Sequence, residues 1–410
     1  MTDLLSKKQV HFPFSTQLKT LFDCLINNGD ELRLVGGSVR DFLAKKDIQN
    51  ADFDLACKYT PEETTSILKQ QNIKTFPSGI KYGTITAIIE DEHFQITTLR
   101  TDVENYGRDC EVKFSTDFAE DAKRRDFTIN ALSIDQNGNL FDYFGGEDDL
   151  KNQIVRFIGD ENTRIEEDYL RILRFFRFSC FYAKEIDEEG LKACIKHGHH
   201  IKDLSSMRIR EELLKLFKCQ NRDNLFIILK LMFDCGLLGF IFQNLSDQKI
   251  NALKNLFTLE KSLGYQLEII LFWAILSGNN DSHLNLSNLE KKYLLKITNP
   301  QPRVSFRTTK KDLLKLLLET EKKELLDLHI VRLVLDDNFE NFIDDFLQID
   351  KMINSSKIPN FPINGHDLLK LKIEPRNIGK TLRIAKNYWW KNDFSIDKKT
   401  ILSFISQKNN

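Results

Sequence analysis

Long apolar runs, paired cysteines and mid-chain prolines are all scarce in this sequence. No stretch of about 18 uncharged apolar residues occurs, which argues against a membrane-spanning helix, and the opening MTDLLSKKQVHF lacks the apolar core of a secretory signal. The seven cysteines are odd in number, scattered and without a C-x-x-C pair, which argues against a disulfide framework and against thiolate zinc sites. A cytoplasmic protein without a membrane partner is expected. No proline falls between Pro77 and Pro300, and 12 of the 18 glycines precede residue 200. The first third is therefore turn-rich and the remainder can run as helix. The formal net charge of −1 is no electrostatic advertisement for nucleic acid, although a sum says nothing about distribution. With 41% apolar and 29% charged residues over 410 positions, the chain is globular and long enough for two to four domains.

The most informative stretch is Leu34 to Leu55, LVGGSVRDFLAKKDIQNADFDL. A short apolar run ends in Gly36-Gly37, after which Ser38, Val39, Arg40 and Asp41 open a helix. Glycines at such a turn let backbone N–H groups approach an anion, the helix start adds partial positive charge, and Arg40 has the reach to grip a phosphate with two hydrogen bonds. Asp52 and Asp54 follow, separated by Phe53. On a strand, residues two apart share a face, so both carboxylates project together while Phe53 turns into the core. Two adjacent carboxylates repel unless a cation lies between them, and Mg²⁺ accepts carboxylate and phosphate oxygens together. In this order, a glycine turn for a triphosphate and a carboxylate pair for metal ions describe a nucleotidyltransferase centre.

GGSVRD followed by DFD resembles the signature of the DNA polymerase beta-like superfamily in its class II branch, the tRNA CCA-adding enzymes and bacterial poly(A) polymerases. The resemblance continues in EDAKRRDFTINAL (120–132), close to that family's R-R-D-F-T-x-N-A motif, and in EEDYLRILRFFRF (166–178). It implies that Asp52 and Asp54 are catalytic and bind two Mg²⁺, and that Gly36, Gly37, Ser38 and Arg40 hold the triphosphate. Arg124 and Arg125 are expected to contact the nucleotide, with Asp126 and Asn130 supporting that site. At 3.6 residues per turn, Asp168, Arg171, Arg174 and Arg177 form a winding polar stripe opposite Leu170, Ile172, Leu173 and Phe176. In the family that stripe reads the incoming base.

Other segments carry less chemistry. Residues 16–28 and 61–72 read as helices, and GTITAIIE (83–90) with HFQITTLR (93–100) reads as a hairpin. Gln95 stands where the family usually has a glutamate, and is not assigned to a metal. The polar stretch 101–118, with Gly107, Arg108 and Asp109, reads as a loop. In the family a flexible loop here moves as specificity switches from C to A, and enzymes that add only CC lack it. SIDQNGNLFDYFGGEDDLKNQIVRFIGD (133–160) contains a hairpin turn at Asn137-Gly138 and a second turn at Gly145-Gly146, with a helix opened by Asp148-Asp149. Beyond residue 185, apolar residues recur at three- and four-residue spacing, as in MRIREELLKLF (207–217). HGHH (197–200) has no spaced carboxylates and reads as a solvated helix end. His366-Asp367 is an isolated pair. After Pro359 and Pro362, INGHDLLKLKIEPRNIGKTLRIAKNYWWKN resembles the family's tail. Its basic residues, among them Lys380, Arg383 and Lys386, are either an RNA surface or one side of an amphipathic helix.

The expected architecture is α+β: a small mixed-sheet nucleotidyltransferase head (1–150), then an all-α neck (151–220), body (221–355) and tail (356–410). The expected activity is template-independent addition of CCA from CTP and ATP to tRNA 3′ ends, with no obligate protein partner. An A-adding-only enzyme, a poly(A) polymerase and a non-catalytic tRNA-binding protein remain as alternatives.

Overall fold

A computed structural model describes residues 8–26, 31–48, 52–106, 109–278, 284–298, 308–357 and 359–409. The chain divides into two compact units, one running to Gln243 and including the short segment 283–285, the other formed by the rest.

The first unit is built on an eight-stranded mixed sheet in the order β1-β10-β9-β2-β3-β6-β5-β4. Its strands are β1 (Lys8–Gln9), β2 (Leu32–Val35), β3 (Phe53–Cys57), β4 (Lys74–Gly79), β5 (Thr84–Ile89), β6 (Glu92–Thr98), β9 (Ser133–Ile134) and β10 (Asn139–Phe141). Among the described residues, β3 and β6 pair in parallel and the remaining ladders of this sheet are antiparallel. Helix α1 (Thr16–Leu25) is capped by the Ser15 hydroxyl and buries Leu18, Leu21, Phe22 and Leu25 in a core shared with Leu34, Leu55, Phe94 and Ile96 of the sheet. Helix α2 (Gly37–Leu43) follows the glycine turn, and α3 (Pro61–Gln70) starts at a Thr60/Glu63 capping box with Pro61 in its first turn.

The stretch expected to be a loop is instead an antiparallel hairpin, β7 (Arg100–Tyr106) and β8 (Asp109–Phe114). Residues 107 and 108, and hence Gly107 and Arg108, lie outside the described residues. Polarity concealed an alternation at Cys110, Val112 and Phe114 that has the period of a strand. At the base of the hairpin Phe114 lies over Gly83, where a Cβ would meet its ring at 2.8 Å.

Helices α4 (Phe118–Lys123), α5 (Gly146–Lys151), α6 (Glu161–Glu167), α7 (Leu170–Tyr182), α8 (Glu188–His197), α9 (Ser206–Phe217) and α10 (Arg222–Asp234) complete this unit. Every regular element described in the second unit is a helix: α11 (Asp247–Leu263), α12 (Ile269–Leu276), α13 (Asn288–Thr298), α14 (Lys310–Leu317), α15 (Lys322–Val334), α16 (Phe339–Ser355), α17 (Gly365–Lys370), α18 (Ile378–Lys391) and α19 (Lys398–Asn409). Helix α12 is apolar all round and is buried from Leu271 to Leu276, as a helix without a polar face must be. In α18, Thr381, Ala385 and Trp389 face the core while Lys380 and Arg383 are exposed. Among the described residues no helix is long and apolar enough to cross a membrane.

Candidate nucleotide site

Strand β2 ends at Val35, whose antiparallel partner on β3 is Asp54, so the glycine turn and the second carboxylate meet by register alone. Gly36 adopts φ +75°, open to glycine at little strain. A Cβ there would lie 3.3 Å from Arg125 Nη1 and 3.6 Å from Asp54 Oδ2, so the missing side chain also lets these two groups close around the turn. Phe53 packs into the core with its ring 6.3 Å from that of Phe94, as the strand alternation requires. Asp52 is exposed immediately before the strand. On the other side of β3, Gln95 of β6 is the in-register parallel neighbour of Asp54 and is exposed. Burial raises the Asp54 carboxyl above its ordinary value, opposed by Arg125 and reinforced by the charge of Asp52.

The RRDFTIN segment is a knot of ion pairs. Helix α4 ends at Lys123, and Arg124 turns its fork onto Asp121 Oδ1 with Nε at 2.9 Å and Nη2 at 2.7 Å. Arg125 donates through Nη1 to the Asn130 carbonyl (3.2 Å) and through Nη2 to Asp121 Oδ2 (3.4 Å). Burial opposes ionisation of Asp121, yet the two arginines more than offset it and hold the carboxyl below its usual range. Asn130, in a 3₁₀ turn, is the junction: its Oδ1 accepts from Arg40 Nη1 (2.7 Å) and its Nδ2 donates to Asp126 Oδ1 (2.8 Å). Asp126 Oδ2 accepts from Arg174 Nε (2.6 Å). Burial would raise this carboxyl, but Arg174 and the Asn130 amide bring it down to about 2. Arg40 is itself buried, with Nε and Nη2 on Asp41 Oδ1 (both 3.0 Å), so most of its fork is held within the protein.

The expected continuous stripe from Asp168 to Arg177 is broken at its first member. Helix α6 stops at Glu167, Asp168 is its extended C-cap, and α7 begins only at Leu170. The reason is local: Asp168 Oδ1 accepts the Leu170 N–H at 3.1 Å, a side-chain bond to the backbone that competes with continuing the helix. Asp168 Oδ2 accepts from Arg208 Nη2 at 2.7 Å. Arg171 donates to the Arg164 carbonyl (2.6 Å), to Glu167 and to the Arg124 carbonyl (3.3 Å), while Arg177 Nε donates to Glu212 Oε2 (2.6 Å).

These groups line an open cavity of about 490 Å³. Gly36, Gly37, Arg40 and Asp54 line its sheet end; Arg124, Arg125, Asp126 and Asn130 line the middle; Asp168, Arg171, Arg174, Arg177 and Phe178 line the helical wall. Of the residues that the sequence assigns to the metal and nucleotide site, Ser38 and Asp52 are the two not in that lining. Ser38 is buried at 2% exposure, and its Oγ has no hydrogen-bond partner among the described residues. With six arginines against three aspartates, the lining suits a polyanion whose other end carries hydrogen-bonding groups.

Sequence reading missed four supports: Asp121, Arg164, Arg208 and Glu212. Two had a visible signal. Glu212 lies on the apolar face of α9 with Ile209, Leu213 and Leu216, and Asp121 lies beside Phe118 and Ala122 on α4. A carboxylate on a buried face requires a cation, and here arginines supply it. Nothing local marks Arg164 and Arg208.

Comparison with known proteins agrees with this geometry. Residues 32–156 match the poly A polymerase head domain family, and residues 185–249 match the family described as the probable RNA and SrmB-binding site of polymerase A. The chain is 33% identical to the mitochondrial CCA tRNA nucleotidyltransferase 1 of Danio rerio, covering 99% of this chain and 94% of that one. It is 30% identical to the CCA-adding enzyme of Staphylococcus haemolyticus, covering 87% and 88%. Its fold is shared with the Bacillus stearothermophilus CCA-adding enzyme crystallised with CTP, at a TM-score of 0.73 and 21% identity over 97% of this chain and 98% of that chain. Register, cavity lining and full-length similarity together make this chain a member of the class II CCA-adding tRNA nucleotidyltransferase family.

Proposed function

We propose that the protein adds C, C and A from CTP and ATP to the 3′ end of tRNA without a nucleic-acid template, releasing pyrophosphate at each step. The observation that carries this reading is the meeting of the glycine turn, Asp54 and the arginine wall of α7 in one cavity. Asp54 fits a divalent cation: its carboxyl is raised by burial and by the nearby Asp52, a combination that bound positive charge would reverse. Asp52 and Asp54 would hold two Mg²⁺, which when bound lower the pKa of an attacking hydroxyl and neutralise charge on the phosphates. Gly36 and Gly37 bring backbone close to the triphosphate, and Arg125, beside Asp54, reaches the same space. Arg40 braces Asn130 and lends its charge.

Base choice falls to Asp168 and Arg171. Cytosine and adenine both present an amine donor beside a ring-nitrogen acceptor, whereas uracil and guanine present a carbonyl beside a ring N–H. A carboxylate only accepts and a guanidinium only donates. Asp168 accepts two protein hydrogen bonds and keeps lone pairs for an amine. Arg171 uses both Nη1 hydrogens and one on Nη2, leaving Nε–H and one further hydrogen. Arg174 and Arg177 hold the wall through Asp126 and Glu212.

The four-part division into head, neck, body and tail belongs to this proposal, with exposed Lys380 and Arg383 of α18 on the side offered to tRNA. So does a cytoplasmic location, which suits the free, buried Cys57, Cys180, Cys194 and Cys219; mitochondrial relatives make the organelle the alternative for fractionation to test. The deciding experiment supplies tRNA transcripts ending in the discriminator base, in C and in CC with single nucleoside triphosphates and Mg²⁺. CTP should extend the first two, ATP the third, and UTP and GTP none. Addition of A alone to the CC transcript would identify an A-adding enzyme, and long A tracts a poly(A) polymerase.

A further inference from the structure

The HGHH segment is not a plain solvated helix end. His197 closes α8 and is 7% exposed, with Nε2 3.0 Å from Asn162 Oδ1. The 3₁₀ turn Gly198–Asp203 follows and is fixed from beneath: a Cβ at Gly198 would lie 2.3 Å from Leu237 Cδ2, and Ile201 is fully buried. On this base the His200 ring stacks on Tyr169 at 4.0 Å and 13°, and the His199 ring lies 4.0 Å from that of His200 at 38°. His200 Nδ1 is tied to Asp203 Oδ2 at 2.8 Å, which fixes the plane of the middle ring. His199 is exposed, as are Lys196 and Lys202 on either side.

Tyr169, the inner ring of this column, is the residue after Asp168 in the nucleotide cavity. We propose that the Tyr169–His200–His199 column is a stacking platform for an unpaired base of the RNA substrate's 3′ end. Three features favour RNA as the occupant: continuity of the chain with the nucleotide cavity, flanking lysines for the phosphates, and stacked rings held in place before any ligand arrives. A base can stack on an aromatic face whatever its identity, so such a platform suits an enzyme whose primer end changes after every addition. An exposed imidazole in the column contributes little to the core, so a purely structural role does not account for His199.

The proposal rests on the tRNA-directed reading above, and the test separates the two. In the full-length protein, His199 and His200 are replaced together by alanine and, separately, by phenylalanine. Affinity for a fluorescein-labelled tRNA transcript lacking CCA is measured by anisotropy, alongside KM for CTP. The alanine pair should weaken tRNA binding by roughly 5- to 100-fold, the range of one lost stacking contact. KM for CTP should stay within about twofold, and the phenylalanine pair should restore tRNA affinity. If wild type binds no tRNA, the functional reading itself is wrong. If wild type binds and the alanine pair binds equally well, the platform is refuted. Loss of C and A preference with unchanged tRNA affinity would also refute it, by showing that the column only positions Asp168.

Discussion

Asp54 and Asp126 line one cavity, yet the sheet end and the helical wall treat their carboxylates in opposite ways. Asp126 has its oxygens filled by Phe127 N–H, Asn130 and Arg174, and is held ionised far into acid. Asp54 is raised, with Arg125 close by but bonded to Asp121 and Asn130. The wall's carboxylate is paired within the protein, whereas Asp54 at the sheet end stays raised by burial, which is what the proposed cation and phosphate chain would relieve. The helical unit offers a third case: His329 on α15 is fully buried, neither ring nitrogen has a hydrogen-bond partner among the described residues, and burial lowers its pKa to about 4. Buried ionisable groups are paired around the site in the first unit, whereas in the second burial keeps His329 uncharged at neutral pH.

The sharpest test sets two isosteric changes against each other. Asp54→Asn should cut nucleotide addition by about 10³-fold or more, the scale of losing a metal ligand, while thermal stability stays equal or rises because an unfavourable charge is gone. Asp126→Asn should instead cost about 1–3 kcal/mol in urea denaturation, because it removes the charged acceptor that Arg174 and Asn130 share at a buried position. Matching stability losses in the two variants would erase the distinction between them. Asp52→Ala should resemble Asp54→Asn in activity, and more than about a tenth of wild-type rate in either would remove the carboxylate pair from catalysis.

Acid distinguishes the units by pH window. A histidine whose folded pKa is lowered to about 4 from 6.5 destabilises the fold as pH falls between those values, by roughly 3 kcal/mol for His329. Asp126 runs the other way: its folded value of about 2 lies below 3.8, so its contribution is full above 3.8 and is lost only as pH falls toward 2. Trp273, Trp389 and Trp390 all belong to the helical unit, so tryptophan fluorescence reports that unit directly. Stability by this probe should decline from pH 6.5 to 4 in wild type and much less in His329→Leu. An unchanged profile in the variant would remove His329 as the cause.

The smallest expected effect is at Gln95. It is the neighbour of Asp54 across the parallel ladder, but an amide brings no negative charge, so Gln95→Ala should lower the rate by less than about tenfold. A loss comparable to Asp54→Asn would mean that the sheet end relies on three side chains.

Much of the sheet end was legible because its chemistry is local. Gly36-Gly37, the strand alternation through Phe53 and the Pro61 helix start all act over a few residues, and each appears where its sequence pattern places it. The hairpin at 100–114 was obscured because its stabilisation is backbone pairing between two polar segments, to which polarity is blind. The stripe on α7 was misjudged at Asp168 because helical periodicity carries no information about a side chain bonding its own backbone two residues on.

The sequence by itself determined the turn, the carboxylate spacing, the arginine row at helical period and the mixed-sheet head with helices after it, since these follow from backbone geometry and side-chain type. Only the tertiary structure decided which charges are spent and which are available. Arg208 reaches Asp168 across 40 positions and Arg174 reaches Asp126 across 48, and no local rule sets those partners. Ion-pair energy depends on distance and burial, and both are properties of the packed chain.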